Sequence, residues 1–279
     1  MTDITGGQAK MGTPTLGEIP KEDSPLIEPV YFGRGDVPLP MASWDIEIDS
    51  DSLFDSDRPV DYSQIGVTCA SILATDGGDA ELYWGGMYEA GEVYNPKMNK
   101  FEMGEMIESL LHYDTQGYHT LTWNGAQFDF RVMAELMPDY KDALRGVMYN
   151  SVDLMFQFFC QRGFFVGLDA VSRAMGLAGK HQGPQIDGQY IDGGLAAKHW
   201  PEHARKILWY VHNDTVQPLL LAQKIHGSQE LRWVTKKGKI ASEPFREILT
   251  VEQSLELPLP DTSWMDNPIT REKALSFWA

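Results

Sequence analysis

From Trp44 to Asp49 the chain alternates strictly, with Trp44, Ile46 and Ile48 on one side and Asp45, Glu47 and Asp49 on the other. A period of two predicts a strand with one apolar face and one acidic face. Residues Gln64–Ala74 and Leu82–Trp84 predict two more strands. The polar turns between the three are short, which points to an antiparallel meander. The period then lengthens. Met103, Met106, Ile107, Leu110 and Leu111 form a helical stripe within Phe101–Tyr113, closed by Gly117. Tyr118–Trp123 predicts a strand that leads through Asn124-Gly125 into a helix whose Phe128, Val132, Met133 and Leu136 face inward and which Pro138 ends.

Further along, Asn150–Leu154 predicts a short strand, with Asp153 as a turn or helix-capping acid, and Leu168–Leu177 a compact amphipathic helix. The glycine-rich stretch Gly179–Gly194 predicts a long loop. The last helix of the core begins at Pro201. It carries Ala204, Ile207, Leu208, Val211 and Thr215, and Pro218 is expected to bend or break it. Beyond Gly227 the pattern predicts a hairpin around Lys237-Gly238 and a short helix from Thr270. Strands followed by alternating helices and a strand give an α/β fold with a mixed central sheet. We divide the chain into a flexible leader and N-terminal arm (1–40), one domain (41–226) and a C-terminal extension packed on it (227–279).

The chain has 279 residues, 43% of them hydrophobic, enough for a substantial core. No stretch approaches the roughly 18 uninterrupted apolar residues of a membrane span, so no membrane partner is expected. The only cysteines, Cys69 and Cys160, lie in apolar surroundings and do not make a disulfide framework, which fits a reducing, cytoplasmic setting. A net charge of −17 opposes binding to a polyanion through the summed field. Local basic faces would have to come from Arg232, Lys236, Lys237 and Lys239, or from Lys198, Arg205 and Lys206, all of which also read as ordinary solvated surface. Arg34-Gly35-Asp36 supports no more than a turn.

Four acids in three separate segments carry candidate chemistry: Asp45 and Glu47, Asp129, and Asp214. If the fold gathers them, divalent cations are the natural balance for their charge. Asp45 and Glu47 are two apart on a strand and point to one side, about 7 Å apart. Tyr210 and Asp214 are four apart on a helix and share a face within about 6 Å. There the phenol could orient an attacking water while the acid ligates metal. In two-ion phosphodiester hydrolysis, cations about 4 Å apart activate the water and stabilise the leaving oxygen.

These segments resemble the DEDD superfamily of 3′–5′ exonucleases, in its tyrosine-type branch, and in particular the proofreading domain of family B DNA polymerases. Asp45-Ile46-Glu47 matches the Asp-x-Glu motif, Asn124 through Phe128-Asp129 matches Asn-x-x-x-Phe/Tyr-Asp, and Tyr210 with Asp214 matches Tyr-x-x-x-Asp. The similarity covers about residues 41–226, including the Leu168–Gly176 helix and Lys180 after it. The resemblance implies a ribonuclease-H-like fold and two Mg²⁺ or Mn²⁺ ions. It implies that Asp45, Glu47 and Asp214 ligate the first ion, that Asp45 bridges to the second and that Asp129 holds the second through water. Tyr210 would position the nucleophilic water, Asn124 would lie near the terminal nucleotide and Phe128 would pack or stack beside it. The implied reaction releases nucleoside 5′-monophosphates from a single-stranded 3′ end, with DNA favoured over RNA. The activity would be freestanding or delivered by a replication or repair protein.

Two positions depart from that pattern. Ile48 stands where the family usually has threonine, which removes a hydroxyl beside the terminal ribose but no metal ligand. Histidine-type relatives carry their base five residues before the last aspartate, where this chain has Trp209; His212 is expected to face elsewhere on the helix. Trp44, Ile46 and Phe130 are further candidates for wedging or stacking against bases. The competing reading is a non-catalytic binding or scaffolding module on the same fold. Gly85-Gly86 and Gly193-Gly194 lack the phosphate-loop continuation, no Gly-x-Ser-x-Gly elbow occurs, and the histidines and cysteines lack zinc-finger spacing.

Overall fold

The computed structural model describes residues 37–49, 61–76, 79–85, 88–89, 92–93, 96–178 and 183–279. The leader, most of the expected arm, Arg34-Gly35-Asp36 and Lys180 lie outside the described residues. The expected strand at Ala42 is β1 (Met41–Ile48), followed by β2 (Val67–Ala74) and β3 (Glu81–Trp84). All three pair antiparallel in sequence order, as a meander should. A two-residue ladder joins β4 (Tyr88–Glu89) and β5 (Glu92–Val93) outside the main sheet. Helix α1 (Lys100–Thr115) then crosses over to β6 (His119–Thr122), which lies parallel to β1 on its other side. The start of α1 is set by a capping box, with Asn99 accepting from Phe101 and Glu102 and the Glu102 side chain accepting from Asn99.

Helix α2 (Asp129–Leu136) ends before Pro138, as expected. Helix α3 (Lys141–Asn150) follows it and had no counterpart in the sequence pattern. Strand β7 (Val152–Asp153) pairs parallel with β6, so the main sheet is mixed, five-stranded and ordered β3-β2-β1-β6-β7. That order and those directions are compatible with a ribonuclease-H-like fold. Asp153 caps α4 (Leu154–Arg162), a second unexpected helix, by accepting from the Phe156 N–H. Helix α5 (Leu168–Ala174) is the compact helix expected there. The described part of the glycine-rich stretch, residues 183–194, is not simply a loop. It contains the hairpin β8 (Gln185–Ile186) and β9 (Gln189–Tyr190) and leads into α6 (Gly193–His199), which Asp192 caps.

Helix α7 (Ala204–Ser228) corrects one expectation, because it runs through Pro218 without stopping. Proline cannot donate to the carbonyl four residues back and costs a helix interior about 3 kcal/mol. Leu219, Leu221, Ala222 and Ile225 follow it and are completely buried. At roughly 1.5–3 kcal/mol for each large apolar side chain, their burial outweighs the proline.

The two faces of the sheet have separate partners. Trp44, Ile46 and Ile72 pack with α1, α2 and α3 in the larger core. The opposite face meets α7, where the Ser71 and Thr215 hydroxyls lie 3.3 Å apart. After α7, β10 (Glu230–Val234) and β11 (Ile240–Pro244) form the expected hairpin. Helices α8 (Val251–Leu255) and α9 (Arg271–Ala274) complete the chain, with Thr270 capping α9. Val251, Leu275 and Trp278 enter the larger core, and buried Arg271 donates to the carbonyls of Cys160, Leu255, Leu257 and Pro258. Among the described residues, no helix is long and apolar enough to cross a membrane.

Candidate metal centre

Alternation in β1 sends Trp44, Ile46 and Ile48 into the larger core and turns Asp45 and Glu47 to the α7 face. Helix α7 packs against β1 and brings Tyr210 and Asp214 to the same place. One ligand oxygen each from Asp45, Glu47 and Asp214 lies within 4.8 Å of the others. The register of β1 and β2 shifts beside this cluster. Cys69 opposes Glu47 but Val67 opposes Ile48, which leaves Thr68 as an extra residue whose hydroxyl donates to the Glu47 carbonyl at 3.1 Å. Such a bulge adds local twist and holds the strand end that carries the acid.

Asp129 is the first residue of α2 and is buried. Strand β6 pairs with β1 only over Met41–Ser43. Past that point the Asp129 carboxylate accepts the Ile46 N–H, between the two acids of β1. Burial pushes its carboxyl up to about 7. Its own and the Ile46 N–H oppose that rise, while the charges of Asp153 and Asp214 add to it.

The loop before Asp129 is held by Asp153, which accepts from the N–H groups of Asn124 and Ala126, both at 3.0 Å, while capping α4. Asn124 has φ +81°, a conformation asparagine tolerates better than most residues. A Cβ on Gly125 would come within 2.6 Å of the Thr122 side chain, so the Asn-Gly pair suits this tight turn. Sequence reasoning gave Asp153 only a capping role, and its hold on the Asn124 loop is a relationship that spacing does not disclose.

A cleft of about 870 Å³ is lined by Asp45, Glu47, Ile48, Asn124, Phe128, Asp129, Tyr210 and Asp214, so every candidate site residue faces one space. Asp169 and Asp192 also line it and had not been singled out. Asp169 pairs with Arg173 at 2.9 Å, and Asp192 caps α6. The Tyr210 phenol is buried and donates to Asp214. Burial, followed by the charges of Asp214, Glu47 and Asp45, raises its pKa well above the usual value, so the hydroxyl keeps its proton.

Two stacking candidates are corrected. Trp44 and Phe130 are buried and pack edge to face, with centroids 4.7 Å apart, so neither ring is open to a base. Ile46 is core as well, whereas Phe128 is only partly buried. His212 is buried away from the cleft lining, and burial lowers its pKa to about 4. Both cysteines are free and buried.

Four carboxylates with oxygen donors, three of them converging, suit a hard divalent cation such as Mg²⁺ or Mn²⁺. The Tyr210 hydroxyl adds a neutral polar group beside them.

No protein-family model matches the chain, and no curated protein is similar to it. Among solved structures, the chain is similar to the family B DNA polymerase from the hyperthermophilic archaeon Pyrobaculum calidifontis, at 18% identity and a TM-score of 0.45. The match covers 67% of this chain and 24% of the polymerase, so the chain spans about a quarter of that protein's length.

Proposed function

We propose that the chain is a metal-dependent 3′–5′ exonuclease acting on single-stranded nucleic acid, with DNA favoured over RNA, and releasing nucleoside 5′-monophosphates. The observation that carries this reading is the convergence of Asp45, Glu47 and Asp214 within 4.8 Å, from motifs far apart in the chain. Keeping three carboxylates so close without a cation costs charge repulsion. Asp45, Glu47 and Asp214 would hold one ion, and Asp45 with Asp129 would contribute to a second. When bound, such ions supply an activated water and neutralise charge on the leaving oxygen.

Tyr210 acts as a neutral phenol, because its raised pKa excludes a phenolate at ordinary pH. It orients the attacking water and holds Asp214 in place. Asn124 and Phe128 line the same cleft and would meet the terminal nucleotide, with Ile48 beside the ribose. The preference for DNA rests on the Asn-x-x-x-Phe-Asp form of the second motif. We further propose that residues 41–226 form the exonuclease unit with 227–279 as its extension, that the protein works in the cytoplasm, and that a replication or repair protein delivers it to 3′ ends.

The test is degradation of 5′-labelled single-stranded DNA and RNA with Mg²⁺ or Mn²⁺, comparing the wild type with Asp45→Ala and Asp214→Ala. A ladder shortening from the 3′ end that both folded variants abolish supports the reading. Undiminished cleavage by either variant defeats it.

A further inference from the structure

A second group of side chains of metal-ligating type lies at the junction of α6 and α7, outside the lining of the cleft. One donor atom each from His199, Glu202 and His203 lies within 4.8 Å of the others. Their chemistry differs from that of the carboxylate cluster, with two imidazoles and one carboxylate. We propose that His199, Glu202 and His203 form a separate binding site for a borderline transition-metal ion, Zn²⁺ being the best match.

Three observations support the site. First, its backbone is fixed. The His203 N–H donates to the His199 carbonyl at 2.9 Å, and Trp200 between them is buried, with its indole N–H donating to the Pro96 carbonyl at 2.5 Å. Ala204 and Ile207 anchor the following turn in a buried cluster. The three side chains thus project from a held turn, which is the support a ligand set needs.

Second, the side chains face one another. The two imidazole centroids are 5.7 Å apart, and both rings are half-buried while Glu202 reaches solvent. Zinc bonds of 2.0–2.2 Å place tetrahedral donors about 3.4 Å apart. Modest side-chain rotations close the remaining gap. Three protein donors leave the fourth position for water or an exogenous ligand.

Third, the donors select among ions. Lys198, Arg205 and Lys206 flank the trio in sequence, so one carboxylate does not make the neighbourhood attractive to Mg²⁺ or Ca²⁺ on charge alone. Imidazole nitrogens bind zinc, copper and nickel well and magnesium poorly. The chain would therefore sort two metals by ligand type, hard ions to the carboxylates and zinc to the histidines.

The location gives the site a consequence. His203 immediately precedes α7 and lies seven residues, about two helical turns, before Tyr210. His199 ends α6, and the opposite end of α6 faces the cleft through Gly193 and Gly194. A bound ion would tie together two helices that both contribute lining residues to the cleft. The inference does not depend on exonuclease activity and survives its failure.

The experiment is Zn²⁺ and Co²⁺ titration of the full chain in an Asp45→Asn/Asp214→Asn background, which weakens the carboxylate cluster as a competing site. One equivalent of Zn²⁺ is expected, together with visible Co²⁺ absorption bands of a nitrogen–oxygen site. His199→Gln and His203→Gln should each weaken Zn²⁺ binding at least about 100-fold, since even supporting neighbours of metal ligands contribute 10- to 100-fold. Mn²⁺ binding should be retained when the same histidine variants carry the native carboxylates. Circular dichroism checks that they fold. Absence of tight Zn²⁺ binding in the double-Asn background, or binding indifferent to both histidine substitutions, overturns the proposal.

Discussion

Trp278 donates its indole N–H to the buried carbonyl of Ala126, 2.9 Å away, inside the loop that carries Asn124 and leads into α2 at Asp129. Residues from the last part of the chain thus support the second acidic motif directly. Trp278→Phe should leave the Ala126 carbonyl short of a partner and cost about 1 kcal/mol, while Trp278→Ala should cost about 3–5 kcal/mol. Urea unfolding measures both. If the bond also positions the loop, the proposed nuclease activity will fall in Trp278→Phe by more than the small unfolded fraction explains.

The carboxylate cluster should respond to metal through stability. Without divalent ions, Asp214→Asn relieves repulsion and should be at least as stable as the wild type. With Mn²⁺ the order should reverse under the proposed function, because a cation held only by the folded wild type would stabilise it. Thermal melts with chelator and with Mn²⁺ decide this, and an equal Mn²⁺ shift in both proteins would contradict the assignment of Asp214.

Tyr210→Phe removes one hydroxyl from a buried ring that otherwise stays in place. Activity is expected to fall about 100-fold, the lower end of what a positioned proton-transfer group contributes. Mn²⁺ binding should stay within a few-fold of wild type. A loss of metal affinity as large as the loss of rate would show that the phenol serves the ligands rather than the water.

His212 gives a pH signature. Its usual pKa of 6.5 drops to about 4 in the fold because burial disfavours the charged ring. Above pH 6.5 both states leave it neutral and it contributes no pH dependence. Between 6.5 and 4 the unfolded chain takes up a proton that the folded chain refuses, so stability falls as pH falls. The loss between pH 7 and 4.5 is on the order of 2 kcal/mol. His212→Asn should flatten the wild-type pH profile by that amount in urea titrations.

Asp153→Ala would remove an acceptor for three N–H groups, those of Asn124, Ala126 and Phe156. A lost helix cap alone costs about 1 kcal/mol, and two further buried donors left unpaired add roughly 1–3 kcal/mol each. Guanidinium unfolding should show a severe destabilisation. A loss below 1 kcal/mol would mean that water replaces the carboxylate.

What the sequence disclosed followed from period. The alternation of β1 was legible because one face meets the core and the other an acidic cleft, and α1 was legible because its stripe is one-sided. Helix α4 was not, since Leu154–Cys160 is buried on every side, its one polar residue Gln157 included, and such a run has no polar face to set a period. The end expected at Pro218 failed because packing after the proline outweighs its local cost. At the site, Tyr210 with Asp214 and Asp45 with Glu47 were readable as local spacings. Asp153 joins Asn124 and Ala126 across more than 25 residues, a pairing that only the fold reveals.

A single two-residue rhythm in β1 sets both the interior and the acidic cleft. Inserting one residue just before Asp45 would turn the carboxylates toward α1 and α2 and expose the aliphatic side chains that follow them. The protein would lose its core with its ligands. Strand slippage therefore offers no gradual route from this arrangement to a folded chain without the cluster, whereas replacement of individual acids does.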